Sequence, residues 1–170
     1  MKRFSLIALF ALCAFVLQSP RHPRFEDHAI KVRFKKKPVQ LQLDRRRYSD
    51  RLSVALQKGA KHGPNFADQY TIIQWPDKSA CFRFGVANAI TGEFYEFPDI
   101  RCGNLVYSRG SRLLIDDPID SSYYAREKGQ IPNYIYTRFY LWTGSTLKQI
   151  DTAHTPMEFP YEPSYNFVYQ

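Results

Sequence analysis

Three carboxylates lie within five residues, at Asp116, Asp117 and Asp120 in the stretch Asp-Asp-Pro-Ile-Asp. Oxygen ligands of this kind suit a bound Ca²⁺ ion. The stretch lacks the central glycine and the later glutamate of an EF-hand loop, so a turn capped by aspartates is the simpler interpretation. A metal-dependent enzyme is therefore the weakest of three hypotheses for this chain, and the other two follow from the features described below.

The other groups that could do chemistry show no catalytic spacing. The chain has no Gly-x-Ser-x-Gly, His-Glu-x-x-His or phosphate-loop motif. Arg112 lies among apolar residues of a predicted strand, where it must face water, pair with Asp116 or Glu96, or bind an anion. The histidines are scattered with no carboxylate at a suggestive spacing, and we expect each to be structural: His22, His28, His62 and His154. We therefore expect no enzyme activity and no cofactor.

The amino terminus has the pattern of a signal peptide over residues 1–19. Two basic residues precede the apolar run 4–17, which is fourteen residues long. A membrane span needs roughly 20 residues, so this run suits an exported, cleaved segment better. The cleavage signal is weak, because Leu12 stands close before Ala14 where a small residue would be needed. An uncleaved anchor stays as the alternative to a periplasmic or secreted protein without a transmembrane span.

Two cysteines remain if the segment that contains Cys13 is removed. Cys81 and Cys102 are then an even pair in an oxidising compartment, which predicts one structural disulfide. Closing that loop would contribute about 3 kcal/mol on a chain-entropy model. Neither cysteine belongs to a Cys-x-x-Cys motif or has a histidine beside it, which argues against a redox or metal pair.

Positive charge is concentrated before residue 64. Residues 20–63 hold 13 Lys/Arg against 4 Asp/Glu, whereas residues 64–170 hold 9 against 12. Two runs carry six of these 13 cations: Lys35, Lys36 and Lys37, then Arg45, Arg46 and Arg47. Such runs attract polyanions, although a solvated basic face is the simpler alternative. In an exported chain the partner would be an anionic envelope component and not nucleic acid.

Hydrophobic patterning predicts one helix and seven strands. The helix is expected over 49–60, with Ser49 as its N-cap and an apolar face at Leu52, Ala55, Leu56 and Ala60. Strands are expected at 69–75, 82–89, 94–97, 103–108, 111–115, 133–142 and 146–150. The fold class is therefore α+β or mainly β, with one N-terminal helix packed on a curved antiparallel meander sheet or partial barrel.

Several segments lie outside this regular pattern. Residues 20–29 are expected to be a linker, 30–152 a single globular domain and 153–170 a tail rich in aromatic residues and proline. Alternating apolar residues over 30–34 and 39–43 predict two further strands or extended segments. The polar stretch 116–132 is long for a loop and carries Tyr123, Tyr124 and the three aspartates. Tyrosine-rich surfaces suit partner recognition, with ordinary packing as the alternative.

The turn after the helix consists of Gly63, Pro64, Asn65 and Phe66. Glycine suits the left-handed position at a helix end and proline prevents continuation of the helix. We expect Asn65 to turn the chain and Phe66 to anchor the core where the first strand begins.

This turn resembles a motif of small exported bacterial proteins of unknown function. Those proteins carry Gly-Pro-Asn-Phe-Ala-Gly-x-Tyr-Thr after a basic helix, then a two-cysteine turn, a Thr-Gly hairpin, a Ser-Arg-Leu-Leu strand and a Tyr-x-Trp hairpin. Matching stretches occur in the same order at 63–72, 90–92, 111–115 and 140–144. The resemblance implies export and fold but no activity.

Two departures from that motif matter. Asp68 stands where glycine is usual, which would let the loop bend differently. Residues 75–81 keep only the second cysteine of the turn, so one disulfide of the motif is lost.

These features favour a non-enzymatic exported binding module, inhibitor-like or immunity-like, which contacts an unknown protein through the 116–132 loop. The second hypothesis is an envelope-associated structural protein that the basic residues 31–51 hold to an anionic surface.

Overall fold

The computed structural model describes residues 21–44, 46–77, 81–97, 104–119, 130–133 and 135–154. Within those ranges it contains a four-residue 3₁₀ helix at Phe25–His28 and one α-helix, α1, at Asp50–Lys61. The strands are β1 Tyr70–Pro76, β2 Phe82–Asn88, β3 Phe94–Glu96, β4 Leu105–Tyr107, β5 Leu113–Asp116, β6 Thr137–Trp142 and β7 Leu147–Ala153. No helix of the described ranges is long and apolar enough to cross a membrane.

The strands form two antiparallel meanders instead of one curved sheet. The first sheet has the order β1-β2-β3 and the second β4-β5-β6-β7. A mainly β fold with one helix is therefore confirmed, and among the described residues the sheets do not close into a barrel. Pairing stops after β3, which has only three residues, and β4 pairs with β5 instead. Helix α1 precedes both sheets but begins only at residue 50.

The sheets stack with the helix into layers, so the first sheet is covered on both faces. Strand β1 is buried at five consecutive residues, 71–75, because its side chains alternate between two cores. One core lies between α1 and the first sheet and includes Leu56, Ala60, Ile73, Trp75 and Ala87. The next lies between the sheets and includes Phe66, Ile72, Phe84, Leu114 and Trp142. A third covers the outer face of the second sheet and includes Phe25, Val106, Ile115 and Phe139.

Helix α1 begins and ends for identifiable reasons. The hydroxyl of Ser49 accepts the Leu52 backbone N–H at 3.3 Å, which caps the amino end as predicted. Lys58 and Lys61 lie in the last turn, where cations complement the helix dipole. Gly63 then takes a left-handed φ of +91°, which costs a glycine little.

Residues 30–43 belong neither to a helix nor to a strand. Their backbone is instead tied to separate parts of the body. Ile30 N–H donates to Gly110 O at 2.8 Å, near the β4–β5 turn. Val39 N–H donates to Ala89 O at 3.0 Å and Gln42 N–H to Gly92 O at 2.7 Å, at the β2–β3 turn. The segment therefore runs across both sheets.

Residues 21–29 are not a free linker. Phe25 is buried in the outer core of the second sheet. His22 stacks on Phe139 with 5.7 Å between ring centroids, and its Nδ1 lies within hydrogen-bond distance of Asp151 Oδ2, at 2.8 Å. Local sequence patterns do not indicate this contact, because the two partners of the hydrogen bond are 129 residues apart. The predicted signal peptide, residues 1–19, and the tail from residue 155 lie outside the described residues.

Candidate functional site

The described residues of 31–61 carry ten Lys/Arg and two Asp, and all ten cations are exposed. We call these ten side chains the basic face: Lys31, Arg33, Lys35, Lys36, Lys37, Arg46, Arg47, Arg51, Lys58 and Lys61. Arg45, predicted as part of the same cluster, lies outside the described residues. Among described groups, Arg47 is the one member that takes part in an ion pair.

An aspartate clamps the backbone that carries the first basic run. Asp68 Oδ1 accepts the backbone N–H of Arg33 at 2.7 Å and of Phe34 at 2.8 Å. A carboxylate makes stronger hydrogen bonds to N–H groups than a neutral oxygen does. Asp68 has a φ of +67°, the left-handed region that glycine favours and that aspartate tolerates. The aspartate thus keeps a glycine-like bend and adds a contact that glycine lacks.

Arg109 completes this clamp from the β4–β5 turn. Its Nε donates to Asp68 O at 3.0 Å, and its Nη2 donates to Phe34 O. The Arg109 guanidinium therefore links the backbone carbonyl of Asp68 to that of Phe34. It holds the segment in place and leaves the exposed lysines beyond it to face solvent.

A second clamp holds the segment against α1. Gln57 Oε1 accepts the Leu41 N–H at 3.1 Å and its Nε2 donates to Leu41 O at 2.8 Å. Leu41 is only 6% exposed, so its side chain also anchors the chain in the helix-side core. Lys35, Lys36 and Lys37 lie between the two clamps. Sequence reasoning found these cations but not their anchors, since nothing about Gln57 alone indicates its partner.

Charged groups of the first sheet fasten the second basic run. Glu96 Oε2 accepts from Tyr48 Oη at 2.9 Å and from Arg47 Nη2 at 3.4 Å. Arg83 bridges Glu96 Oε1 at 3.4 Å and Asp77 Oδ1 at 3.0 Å. Burial and the Glu96 hydrogen bond raise the pKa of Tyr48 to about 12. This network ties the start of α1 to β2 and β3.

A surface groove runs beside these cations, between residues 40–43 and the outward side of α1. Its volume is about 750 Å³. The helix contributes one wall and the extended segment contributes the other. Val54 projects there with 68% of its surface exposed, the largest exposure among the described large apolar side chains.

The predicted turn lies at the base of β1. Asn65 Oδ1 accepts the Ile72 N–H at 2.8 Å and its Nδ2 donates to Ile72 O at 3.2 Å. Phe66 is fully buried between the sheets. Gly63 and Pro64 precede this pair and are half-buried. The turn seats an aromatic ring and carries no exposed reactive group.

The acidic stretch is less accessible than the sequence suggested. Asp116 is 1% exposed and lies 3.8 Å from the guanidinium of Arg138 on the neighbouring strand. This corrects its assignment to a contact surface, since a buried carboxylate cannot meet a partner. Asp117 is half-buried with a φ of +53°, and its N–H donates to Asn104 O at 2.8 Å.

The rest of the predicted contact loop, Asp120, Tyr123 and Tyr124, lies outside the described residues. Among the residues that are described, no group of three His, Cys, Asp or Glu is arranged to hold a metal ion. Cys81 directly precedes β2, whereas Cys102 is outside the described ranges, so their pairing stays a prediction.

Arg112 proves to be an exposed residue just before β5. Of its two expected partners, Asp116 lies beside Arg138 and Glu96 binds Arg47 and Arg83. The Arg112 side chain instead faces water, which was one of the arrangements we expected. Its backbone N–H donates to His28 O at 3.1 Å, which helps to fasten the amino-terminal residues.

Comparison of the chain with protein families, with curated proteins and with solved structures finds no match. The resemblance at residues 63–72 therefore stays a prediction. The fold and the site define a protein of two antiparallel sheets and one helix, with an exposed and anchored basic face.

Proposed function

We propose that this protein is a non-enzymatic binding module that engages an anionic partner through its basic face. One observation carries the proposal: among the described residues of 31–61, ten exposed cations stand against two carboxylates, on a backbone that several contacts hold in place. Counter-charge on a partner would relieve the repulsion among these cations.

The anchoring is what favours a binding surface over a merely solvated one. A solubilising charge run works equally well on a loose chain. Here Asp68 and Gln57 hold the backbone on either side of Lys35, Lys36 and Lys37. A segment that is already ordered loses less conformational freedom when it binds, so more of the interaction energy appears as affinity.

We place the partner in the cell envelope or outside the cell. That placement rests on the signal-like residues 1–19, and an oxidising compartment would also permit the predicted Cys81–Cys102 disulfide. An inhibitor-like or immunity-like role would use this same basic face. The 116–132 loop does not carry the proposal, because residues 120–129 lie outside the described ranges and Asp116 is buried.

The test is retention of envelope components by the immobilised protein, washed first at low and then at high salt. The informative variant is Lys35→Gln/Lys36→Gln. Its matched control, Arg112→Gln/Lys148→Gln, removes two exposed cations from the second sheet and its approach. We expect the wild type and the control to retain the same component, and the Lys35/Lys36 variant to lose it at lower salt, because exposed charges are screened.

Equal retention by all three proteins would overturn the basic face as the binding surface. Retention by the wild type that high salt leaves intact would point to a packed, largely uncharged interface elsewhere on the molecule.

A further inference from the structure

The groove beside the basic face has the shape of a channel for an extended chain. Its helical wall is formed by side chains that recur every three or four residues on one face of α1: Asp50, Ser53, Val54, Gln57, Lys58 and Lys61. That recurrence aligns them in a single stripe. Four consecutive residues, 40–43, form the opposite wall. The groove is therefore bounded on one side by a single face of α1 and on the other by residues 40–43.

Its length matches a short peptide. From Asp50 to Lys61 the helix rises about 16 Å, at about 1.5 Å per residue. An extended chain covers that distance with about five residues, at about 3.3 Å each. A chain of that length would lie along the whole groove.

The chemistry of the walls suits a polypeptide. Leu41 and Leu43 contribute apolar atoms, and Val54 offers an exposed apolar side chain. Gln40 and Gln42 are exposed and alternate with those leucines. Gln40 adds an amide group to this wall, whereas Gln42 Nε2 donates to Thr91 O at 2.8 Å. Amide side chains and apolar side chains together match the alternating polar and apolar character of an extended peptide.

The charge of the groove selects an acidic occupant. Lys58 and Lys61 line the groove at the carboxyl-terminal end of α1. Asp50 is the one acidic side chain among the lining residues. Arg51, another cation of the basic face, lies on the same helix. Acidic side chains placed beside Lys58 and Lys61 would gain favourable Coulomb energy.

We propose that this groove binds an extended, acidic segment of a partner polypeptide, with its carboxylates beside Lys58 and Lys61 and an apolar side chain against Val54. The inference rests on the proposed function and specifies the partner as a protein. Residues 30–43, the basic segment, supply general attraction, and the groove supplies the shape that distinguishes a peptide from other polyanions.

The test measures binding of a fluorescent peptide of alternating glutamate and valine to the full-length protein. Two comparison probes accompany it: the same peptide with glutamine for glutamate, and a sulfated oligosaccharide. We expect the acidic peptide to bind tightest and to shift the backbone NMR signals of residues 40–43 and 50–61. Tighter binding of the oligosaccharide would overturn the assignment to a polypeptide.

Matched variants locate the site. Val54→Ala should weaken peptide binding about threefold to tenfold, the effect of losing part of one buried side chain. Val32→Ala, which trims an exposed valine outside the groove, should leave it unchanged. Lys58→Gln/Lys61→Gln should weaken binding more than Arg51→Gln, because Arg51 does not line the groove.

The outcomes separate the two proposals. If Lys35→Gln/Lys36→Gln weakens peptide binding and the groove variants do not, the basic face stands and the groove is excluded. If only the groove variants weaken binding, the groove stands and the proposed role of residues 35–37 falls. Absence of binding by any probe overturns both.

Discussion

Asp68 combines a left-handed backbone with a carboxylate that accepts two N–H groups of the basic segment. In the sequence, Asp68 stands where the Gly-Pro-Asn-Phe-Ala motif has a glycine. From that substitution we predicted only that the loop would bend differently. The side chain adds the contact that holds Arg33 and Phe34 in place. One oxygen thereby influences where the following lysines lie.

We expect Asp68→Asn to loosen this clamp. The amide keeps the shape and tolerates the positive φ but removes the charge, which should cost about 1 kcal/mol. Local opening would become about fivefold more frequent, measured as faster hydrogen exchange at the Arg33 and Phe34 amides. The control is Asp44→Asn, because the described partner of Asp44 Oδ1 is a local N–H, that of Arg46, at 2.9 Å. Unchanged exchange in Asp68→Asn would show that the clamp contributes little.

Tyr107 should make the protein sensitive to alkali. Burial between the sheets raises the pKa of Tyr107 to about 12, and the nearby Gln74 amide acts in the opposite direction. In the described part of the chain, neither Tyr107 Oη nor Gln74 Nε2 makes a hydrogen bond of normal geometry. The unfolded phenol loses its proton near pH 10, before the folded one does. The contribution of Tyr107 to the free energy of unfolding is therefore fully present below pH 10, and it is lost as the pH rises from about 10 to about 12.

Tyr107→Phe should flatten this fall by up to about 1.4 kcal/mol per pH unit, measured by urea unfolding across that pH range. At neutral pH the same change should alter stability little, because the lost hydroxyl has no well-formed hydrogen bond to lose. Tyr136→Phe, which removes the hydroxyl of a tyrosine that is 37% exposed, serves as the matched control. Parallel pH curves for wild type and Tyr107→Phe would contradict the burial argument.

At the scale of elements, the contact between β2 and β3 depends on the absence of a side chain at Gly85. A Cβ there would lie 2.4 Å from the Phe94 ring and 3.0 Å from Tyr95 O. Gly85→Ala should therefore destabilise the fold by about 1–3 kcal/mol in chemical unfolding, the usual cost of overpacking. Phe94→Leu in the same chain should recover part of that loss.

Gly110→Ala provides the matched control for Gly85→Ala. A Cβ at Gly110 would meet nothing closer than Ser108 Oγ at 3.8 Å. Its stability should stay close to wild type. Equal losses for the two alanines would mean that Phe94 does not pack against β2 as described.

The elements themselves were largely predictable, because local signals define them. The Ser49 cap and the apolar face at Leu56 and Ala60 placed α1 to within one residue. The hairpin at Gly92, whose φ is +78°, follows from the freedom of glycine in a turn. The division into two sheets was not predictable, since it depends on where β3 stops pairing. The continuous burial of β1 likewise depends on layers that the sequence does not reveal.

At the scale of the whole molecule, the basic segment crosses the layers. It contacts the second sheet at Gly110, the loop before β1 at Asp68 and the helix at Gln57. Its cations were visible in the sequence as charge runs. Their anchors were not, because each involves a side chain distant in sequence and ordinary in type.

The basic face is tested most directly by the salt dependence of binding to polyglutamate, measured by titration of the purified protein. Affinity for a linear polyanion falls as salt rises, more steeply when more cations of the protein pair with it. We predict that Lys35→Gln/Lys36→Gln makes the negative slope of log affinity against log salt shallower by about two units. Arg112→Gln/Lys148→Gln should keep the wild-type slope. Identical slopes for all three proteins, or an affinity that salt does not change, would contradict the basic face as the site of binding.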